Sequence, residues 1–565
     1  MLVAFILFLR TCDENIVITK SGNVDYVAPL EYEECDSKTL EIGEGIILIG
    51  MRAFYLCSNL QAITLPSTLQ VIKNSAFMYC TSLTSVVIPE GVETLEENVF
   101  RCCTSMASLS LPSTISSIQI VAFQESMTKL TDIQFPNGNP TFSASNGMIY
   151  TDTILMMCSN AVTEVNWWPP NVKELRTHCF VFCKLITEII LPSTLETLGS
   201  RSLYSMTLLT SLELGTSIKV FNDAAVELCS SLQSINVAES NPYFRSVNGV
   251  LFTKDLTELL FYPIAKKGDT YMIPSATGTL SIRSFSSVAE LEKFEVENGN
   301  TKLKAINGII YSLDEKTVIR APPKITSYIV PDGIETIGVG AFYTCRISSI
   351  SFPPSVSTIS ESAFHSTIIS SHITIPDTVE YIGSNAFYSL GYLPSVTIEC
   401  QLTSLSYGMF INCHRMTSCQ LPNSIITIED SVFNLCSKLE NINIPPNLRS
   451  IGKFAFYSCL SLPNFEFPKT LESIGASAFE SCLGFTQVTI PARVSYVPQL
   501  AFSTCTNTKL VIFESCNTQY HSTAFYSIPD FDKPQCISSK TFTTSMDRSS
   551  SIRSSLFLLT FLINF

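Results

Sequence analysis

Residues 75–95 read S-A-F-M-Y-C-T-S-L-T-S-V-V-I-P-E-G-V-E-T-L, and residues 454–475 read F-A-F-Y-S-C-L-S-L-P-N-F-E-F-P-K-T-L-E-S-I-G. Superposed, they place Phe77 on Phe456, Cys80 on Cys459, Leu83 on Leu462 and Pro89 on Pro468. The aromatic position recurs at Phe54, Phe77, Phe100 and Phe123, and again at Phe364, Phe387, Phe410, Phe433, Phe456, Phe479, Phe502 and Phe525, always in steps of 23 residues. Phe180, Leu203, Val226, Phe285 and Phe342 carry the frame between the two runs, with three long steps of 57, 59 and 57 residues that mark insertions. A unit this small cannot bury a hydrophobic face alone, so a fixed period of this length means a stack of units sharing one core.

Within each unit, apolar residues alternate up to a proline, as in Ile63 to Pro66, Val86 to Pro89, Ile373 to Pro376, Ile442 to Pro445 and Val488 to Pro491. Period-2 alternation closed by a residue that cannot donate to a ladder predicts a short strand. Two further apolar points follow, such as Val92 and Leu95 or Val379 and Ile382. Their spacing predicts a helical or 3₁₀ return. The expectation is an α/β repeat solenoid over 37–528, in which short parallel strands alternate with helical returns. Twenty layers about 4.8 Å apart would form an elongated body of roughly 90 Å.

Composition narrows the function. The chain has 565 residues, length enough for about three or four ordinary domains, yet the repeat makes it one array. Charged residues make up 15%, the net charge is -14 and neither end carries a basic block, which excludes nucleic-acid binding. Metalloprotease, P-loop, nucleophile-elbow and dinucleotide motifs are absent, and five histidines leave little for acid/base or metal chemistry. The reading is a non-enzyme with no catalytic residue, metal or cofactor.

The combined Ala-Phe, Cys and Pro register of 75–95 and 454–475 resembles the 23-residue leucine-rich repeats of BspA-like surface antigens. The three insertions fit the resemblance. N-P-T-F-S-A-S-N-G-M-I-Y (139–150), N-P-Y-F-R-S-V-N-G-V-L-F (241–252) and N-T-K-L-K-A-I-N-G-I-I-Y (300–311) look like that family's Asn-Gly hairpin islands, with Thr301 where the others have proline. The resemblance implies a leucine-rich-repeat-like, right-handed stack with three β-hairpin islands, near 137–165, 239–270 and 298–326. It also implies a binding or adhesion role and transfers no catalytic residue. By their turn chemistry the islands are expected to project as hairpins, tolerated on the surface or contacting a partner. Trp167 and Trp168 close the first island as a second candidate contact.

Eleven of the twenty cysteines lie three residues after an anchor, at Cys57, Cys80, Cys103, Cys183, Cys229, Cys345, Cys413, Cys436, Cys459, Cys482 and Cys505. Such a ladder points its Cβ atoms one way, whereas a disulfide needs two that converge, so free buried thiols are expected. Residues between the apolar strand positions face away from the core. In the second half they are His372, Thr374, Ser395, Thr397, Ser418, Gln420, Asn441, Asn443, Asn464, Glu466, Gln487 and Thr489, nearly all polar and uncharged. This row is the candidate binding face for proteins or glycans of another cell or matrix.

The ends read separately. Residues 1–12 are a signal-like apolar segment, 13–36 an N-terminal cap, 529–555 a Ser/Thr-rich stalk and 556–565 a hydrophobic tail able to associate with a membrane. They place the chain at the cell surface or secreted. The absence of any N-x-[ST] site and the interior thiols favour a cytoplasmic scaffold instead.

Overall fold

The computed structural model describes residues 7–10, 15–19, 26–27, 37–119, 122–123, 128–464, 466–528 and 534–536. The stalk and tail expected over 529–565 lie outside the described residues apart from 534–536. Leu7–Arg10, part of the apolar segment, pairs antiparallel with Asn15–Thr19, which in turn pairs parallel with Thr39–Ile42.

Most coils carry two strands. The first is the one closed by proline, as in Ser85–Val87, Ser108–Ser110 and Asp132–Gln134, with Val86, Leu109 and Ile133 in register and buried. The second has two residues, as in Thr94–Leu95 and Ser117–Ile118, and builds its own parallel ladder. The second apolar pair of the repeat is therefore β, and the expected helical return is corrected. Among the described residues there is no helix, and the returns are successive turns.

The backbone explains why. Around most anchors the residues two before and two after sit in the left-handed region: Arg52 and Leu56 around Phe54, Ser75 and Tyr79 around Phe77, Phe454 and Ser458 around Phe456. A helix requires consecutive right-handed dihedrals, so a left-handed residue every fourth position ends it at once. The reversals send N–H groups alternately outward and inward. Arg52, Phe54 and Leu56 donate to the carbonyls of Asn74, Ala76 and Met78 in the next coil, at 3.1, 2.7 and 3.0 Å. Ala53, Tyr55 and Cys57 donate within their own turns. Every face of the coil is thus hydrogen-bonded to its neighbour.

Inside, the anchors form a ring stack. Phe54 to Phe77 and Phe456 to Phe479 lie 5.1 and 5.2 Å apart with nearly parallel planes. Ten ladder cysteines are free and buried, as expected. Most donate their thiol to the anchor carbonyl of the preceding coil, for example Cys459 Sγ to Phe433 O and Cys482 Sγ to Phe456 O, both 3.1 Å. Cys57 departs from the ladder in being disulfide-bonded. A second bridge, Cys516–Cys536, which the repeat frame did not indicate, joins the last coil to the strand Gln535–Cys536.

The islands do not project. Each is a three-stranded antiparallel ladder, such as Phe244–Val247, Val250–Thr253 and Glu258–Phe261, whose third strand joins the second sheet in parallel with Thr279–Leu280. Asn248 and Gly249 both have positive φ, at 51° and 78°, as the two-residue Asn-Gly turn requires. Asn241 fixes the entry by donating Nδ2 to Gly215 O and Ile218 O while its Oδ1 accepts from Tyr243 N and Phe244 N. Asn300 does the same where Thr301 replaces proline. The middle strand is buried on both sides. Leu251 belongs to one apolar cluster and Val250 and Phe252 to the next, and Ile149 and Met148, or Ile310 and Ile309, are divided likewise. The middle strands are walls that separate four core compartments, and this is why M-I-Y, V-L-F and I-I-Y read as continuous apolar runs.

The walls also bend the stack. In an island layer the double-turn return shrinks to one turn, at 160–161, 264–265 and 323–324. Extra strands on one side and a missing return on the other make a wedge. On the thin side the coils of Phe285 and Phe342 meet directly, with Ser287 N donating to Thr344 Oγ1 at 3.0 Å and the Arg283 guanidinium 5.8 Å from the Tyr343 ring. The second sheet is interrupted there, and buried Arg320 caps its open edge through Ile282 O and Ser281 O at 2.8 and 3.1 Å. Arg176 does so for Ile118 O at the first island. The stack curls far enough for Arg52 and Glu480, 428 residues apart, to form an ion pair of 3.4 Å. The elongated stack is therefore curled, a shape the repeat count alone did not indicate.

Candidate functional site

The candidate face lies on the first-strand sheet, formed by Ile373–Ile375, Ser395–Ile398, Ser418–Gln420 and Asn441–Ile442 in one parallel ladder. Ile373, Val396 and Cys419 point into the core, so their neighbours must point out. His372, Thr374, Gln420, Asn441, Asn464, Glu466 and Gln487 are exposed, and Ser395, Thr397, Ser418, Asn443 and Thr489 half-buried. Strand register stacks Thr374 on Thr397 and Gln420, and Ser395 on Ser418 and Asn441. His372 Nδ1 and Ser395 Oγ are 2.7 Å apart, a pair with no charged partner to activate it. Apart from His372 and the carboxylate of Glu466, the row presents hydroxyls and amides.

Two members hold the sheet together. Asn443 Nδ2 donates to Leu421 O and its Oδ1 accepts from Leu421 N, both at 2.7 Å. The following coil has no first strand among its described residues, and there Asn464 Oδ1 accepts from Thr486 N and Gln487 N at 2.8 and 3.1 Å. Both amides imitate a strand where Pro445 and Pro463 leave the ladder short. Asn443 and Asn464 are committed to the fold, and the freely available set is correspondingly smaller.

The same outward column carries aliphatics in the first half. Val87, Ile190, Met272 and Ile329, each two residues before the closing proline, are 66%, 71%, 48% and 82% exposed. They lie coils apart and make no continuous patch, and counting back from each proline would have found them. Trp167 and Trp168 are half-buried against Tyr150 and Phe180, with Trp168 Nε1 donating to Ile190 O at 2.9 Å. Packing accounts for both rings.

No group of three metal-ligating side chains occurs among the described residues. Histidine chemistry is muted too. His365 is stacked 4.3 and 4.4 Å from Tyr343 and Tyr388, and burial, helped by Arg283, lowers it to about 3, so it is neutral at physiological pH. The ladder thiols are held as thiols. Burial pushes Cys413 and Cys505 up to about 12. The arrangement can present hydrogen bonds over a long surface.

No curated protein matches the chain. Solved structures to which the chain is similar include a leucine-rich repeat protein from Eubacterium ventriosum, 18% identical, covering 86% of this chain and 94% of that one at a TM-score of 0.29. The pneumococcal vaccine antigen PcpA is 19% identical, with 77% and 96% covered and a TM-score of 0.29. A leucine-rich cell surface protein from Faecalibacterium prausnitzii is 18% identical, with 81% and 92% covered and a TM-score of 0.30. The model of the BspA type leucine-rich repeat region, built of six copies, matches residues 27–146, 156–266, 320–440 and 426–546, well over half the chain. The chain belongs to the BspA-type leucine-rich-repeat family.

Proposed function

We propose that the protein is a non-catalytic surface antigen or adhesin that binds proteins or glycans through the outward row of its first-strand sheet. The observation carrying this reading is the row of exposed and half-buried hydrogen-bonding side chains from His372 to Gln487, uncharged but for Glu466, on a scaffold whose strands run in register from Ile373 to Gln420. Repeat arrays commonly use such extended faces for recognition. The bridges at Cys57 and Cys516–Cys536 support an oxidising location, the cell surface or the exterior. Family membership supports the same class and indicates no reaction.

The row is tested by changing His372, Gln420, Asn441 and Gln487 to Lys together, leaving Asn443 and Asn464 intact. Exposed substitutions cost about 0.5 kcal/mol or less each, so the fold should persist by circular dichroism. Binding to arrayed glycans and matrix proteins should fall at least tenfold. Lysines at Ser538, Ser539, Thr543 and Thr544 are the control and should leave it unchanged. Equal binding by the face variant and the wild type would remove the row as the site.

A second reading, a cytoplasmic scaffold for partner proteins, is favoured by the fifteen free buried cysteines. Staining an internally tagged chain with and without permeabilisation separates the two.

A further inference from the structure

We propose that the Arg52–Glu480 ion pair is a latch that holds the curled stack closed, and that salt opens it. The inference is independent of what the strand face binds. Both residues sit in return loops, Arg52 two residues before Phe54 and Glu480 one after Phe479, so the latch joins the thin inner sides of the first coil with a Phe anchor and a coil near the opposite end. The two partners are unlike. Glu480 is 4% exposed at its side chain and Arg52 39%, so one half is built into its coil and the other reaches over from solvent. Arg52 also lies 5.8 Å from its own Tyr55 ring, which aims the guanidinium without enclosing it.

The two buried cores do not share the task. The apolar cluster containing Phe54 runs from Leu40 to Ile149 and the one containing Phe479 from Ile309 to Ile528, and no buried residue belongs to both. Other ion pairs, such as Lys73 with Glu96, join neighbouring coils that strand ladders already hold. Arg52 and Glu480 join coils that no ladder links. The three island wedges bring the ends close, and the pair fixes the last step. An attraction reached from solvent is screened as the Debye length falls from about 10 Å at 0.1 M salt to about 3 Å at 1 M. The closed form turns the return loops inward, and the open form frees them while leaving every strand ladder intact.

Small-angle scattering of the full chain reads the latch directly. Between about 0.02 M and 1 M sodium chloride the longest dimension of the wild type should grow as the latched ends separate, while the island wedges keep the stack bent. Glu480→Gln at low salt should already show the high-salt dimension and change no further. Because Glu480 is enclosed, Arg52→Gln is the companion variant. It alters a half-exposed side chain and should give the same opened profile with an unchanged circular dichroism spectrum. A wild-type dimension indifferent to salt would overturn the proposal, as would Arg52→Gln remaining as compact as the wild type.

Discussion

Cysteine and phenylalanine occupy repeated positions for different reasons. Phe supplies the area that each coil buries against the next, and Cys supplies a small donor for an anchor carbonyl that a bulkier residue would not reach. The buried thiol must lose its proton to react, and burial opposes that at every ladder position with a resolved shift. Folded protein at pH 8 should therefore resist iodoacetamide at the ten free ladder cysteines. Denaturation without reductant should label all ten and leave Cys57, Cys516 and Cys536 unlabelled by peptide mapping. Labelling of Cys459 at the rate of a free thiol in the folded state would contradict the burial. This much was legible in the sequence, because the anchor-plus-three spacing fixes which way the sulfur points. The bridges were not, since Cys57 shares the spacing of its free neighbours and Cys516 and Cys536 fall outside the frame.

Strand and return differ in how openly their residues declare them. The first strand combines alternation with a proline and reads correctly in most coils from Ile63 to Pro66 onward, though the proline-closed segments 186–191 and 347–352 form no strand. Val92 and Leu95 are three apart, a spacing equally compatible with a helical turn and with a bend entering a two-residue strand. What decides is the left-handed pair around most anchors, and it is filled largely by residues such as Ser, Asn, Arg and Leu, with the glycine that would announce it only at Gly340 and Gly408. Position 458, with φ of 55°, separates the two descriptions. Ser458→Val should cost about 2 kcal/mol in urea unfolding, because a β-branched residue fits the left-handed region poorly. Ser458→Gly should change stability by less than about 0.5 kcal/mol. In a helical return the order would reverse, with Gly costing about 1 kcal/mol and Val being tolerated.

At the scale of the whole molecule, the islands decide both shape and cooperativity. Their Asn-Gly turns were legible; their role as walls was not, because a buried middle strand and an exposed hairpin strand share the same apolar run until the layers on each side are known. Four compartments divided by β walls should not melt as one unit. Neighbouring coils in an array lend stability mainly to each other, and beyond a wall the packed side chains belong to another cluster. Phe456 is fully buried between the rings of Phe433 and Phe479, so Phe456→Ala should destabilise by about 3 to 5 kcal/mol. The loss should stay within the compartment that begins at Ile309. Hydrogen exchange followed by mass spectrometry should show faster exchange across the coils of Phe410 to Phe502, while the amides of the coils of Phe54 to Phe100 keep their wild-type protection. Uniform acceleration along the chain would mean that the walls transmit unfolding, and the molecule would then be one cooperative body despite its divided core.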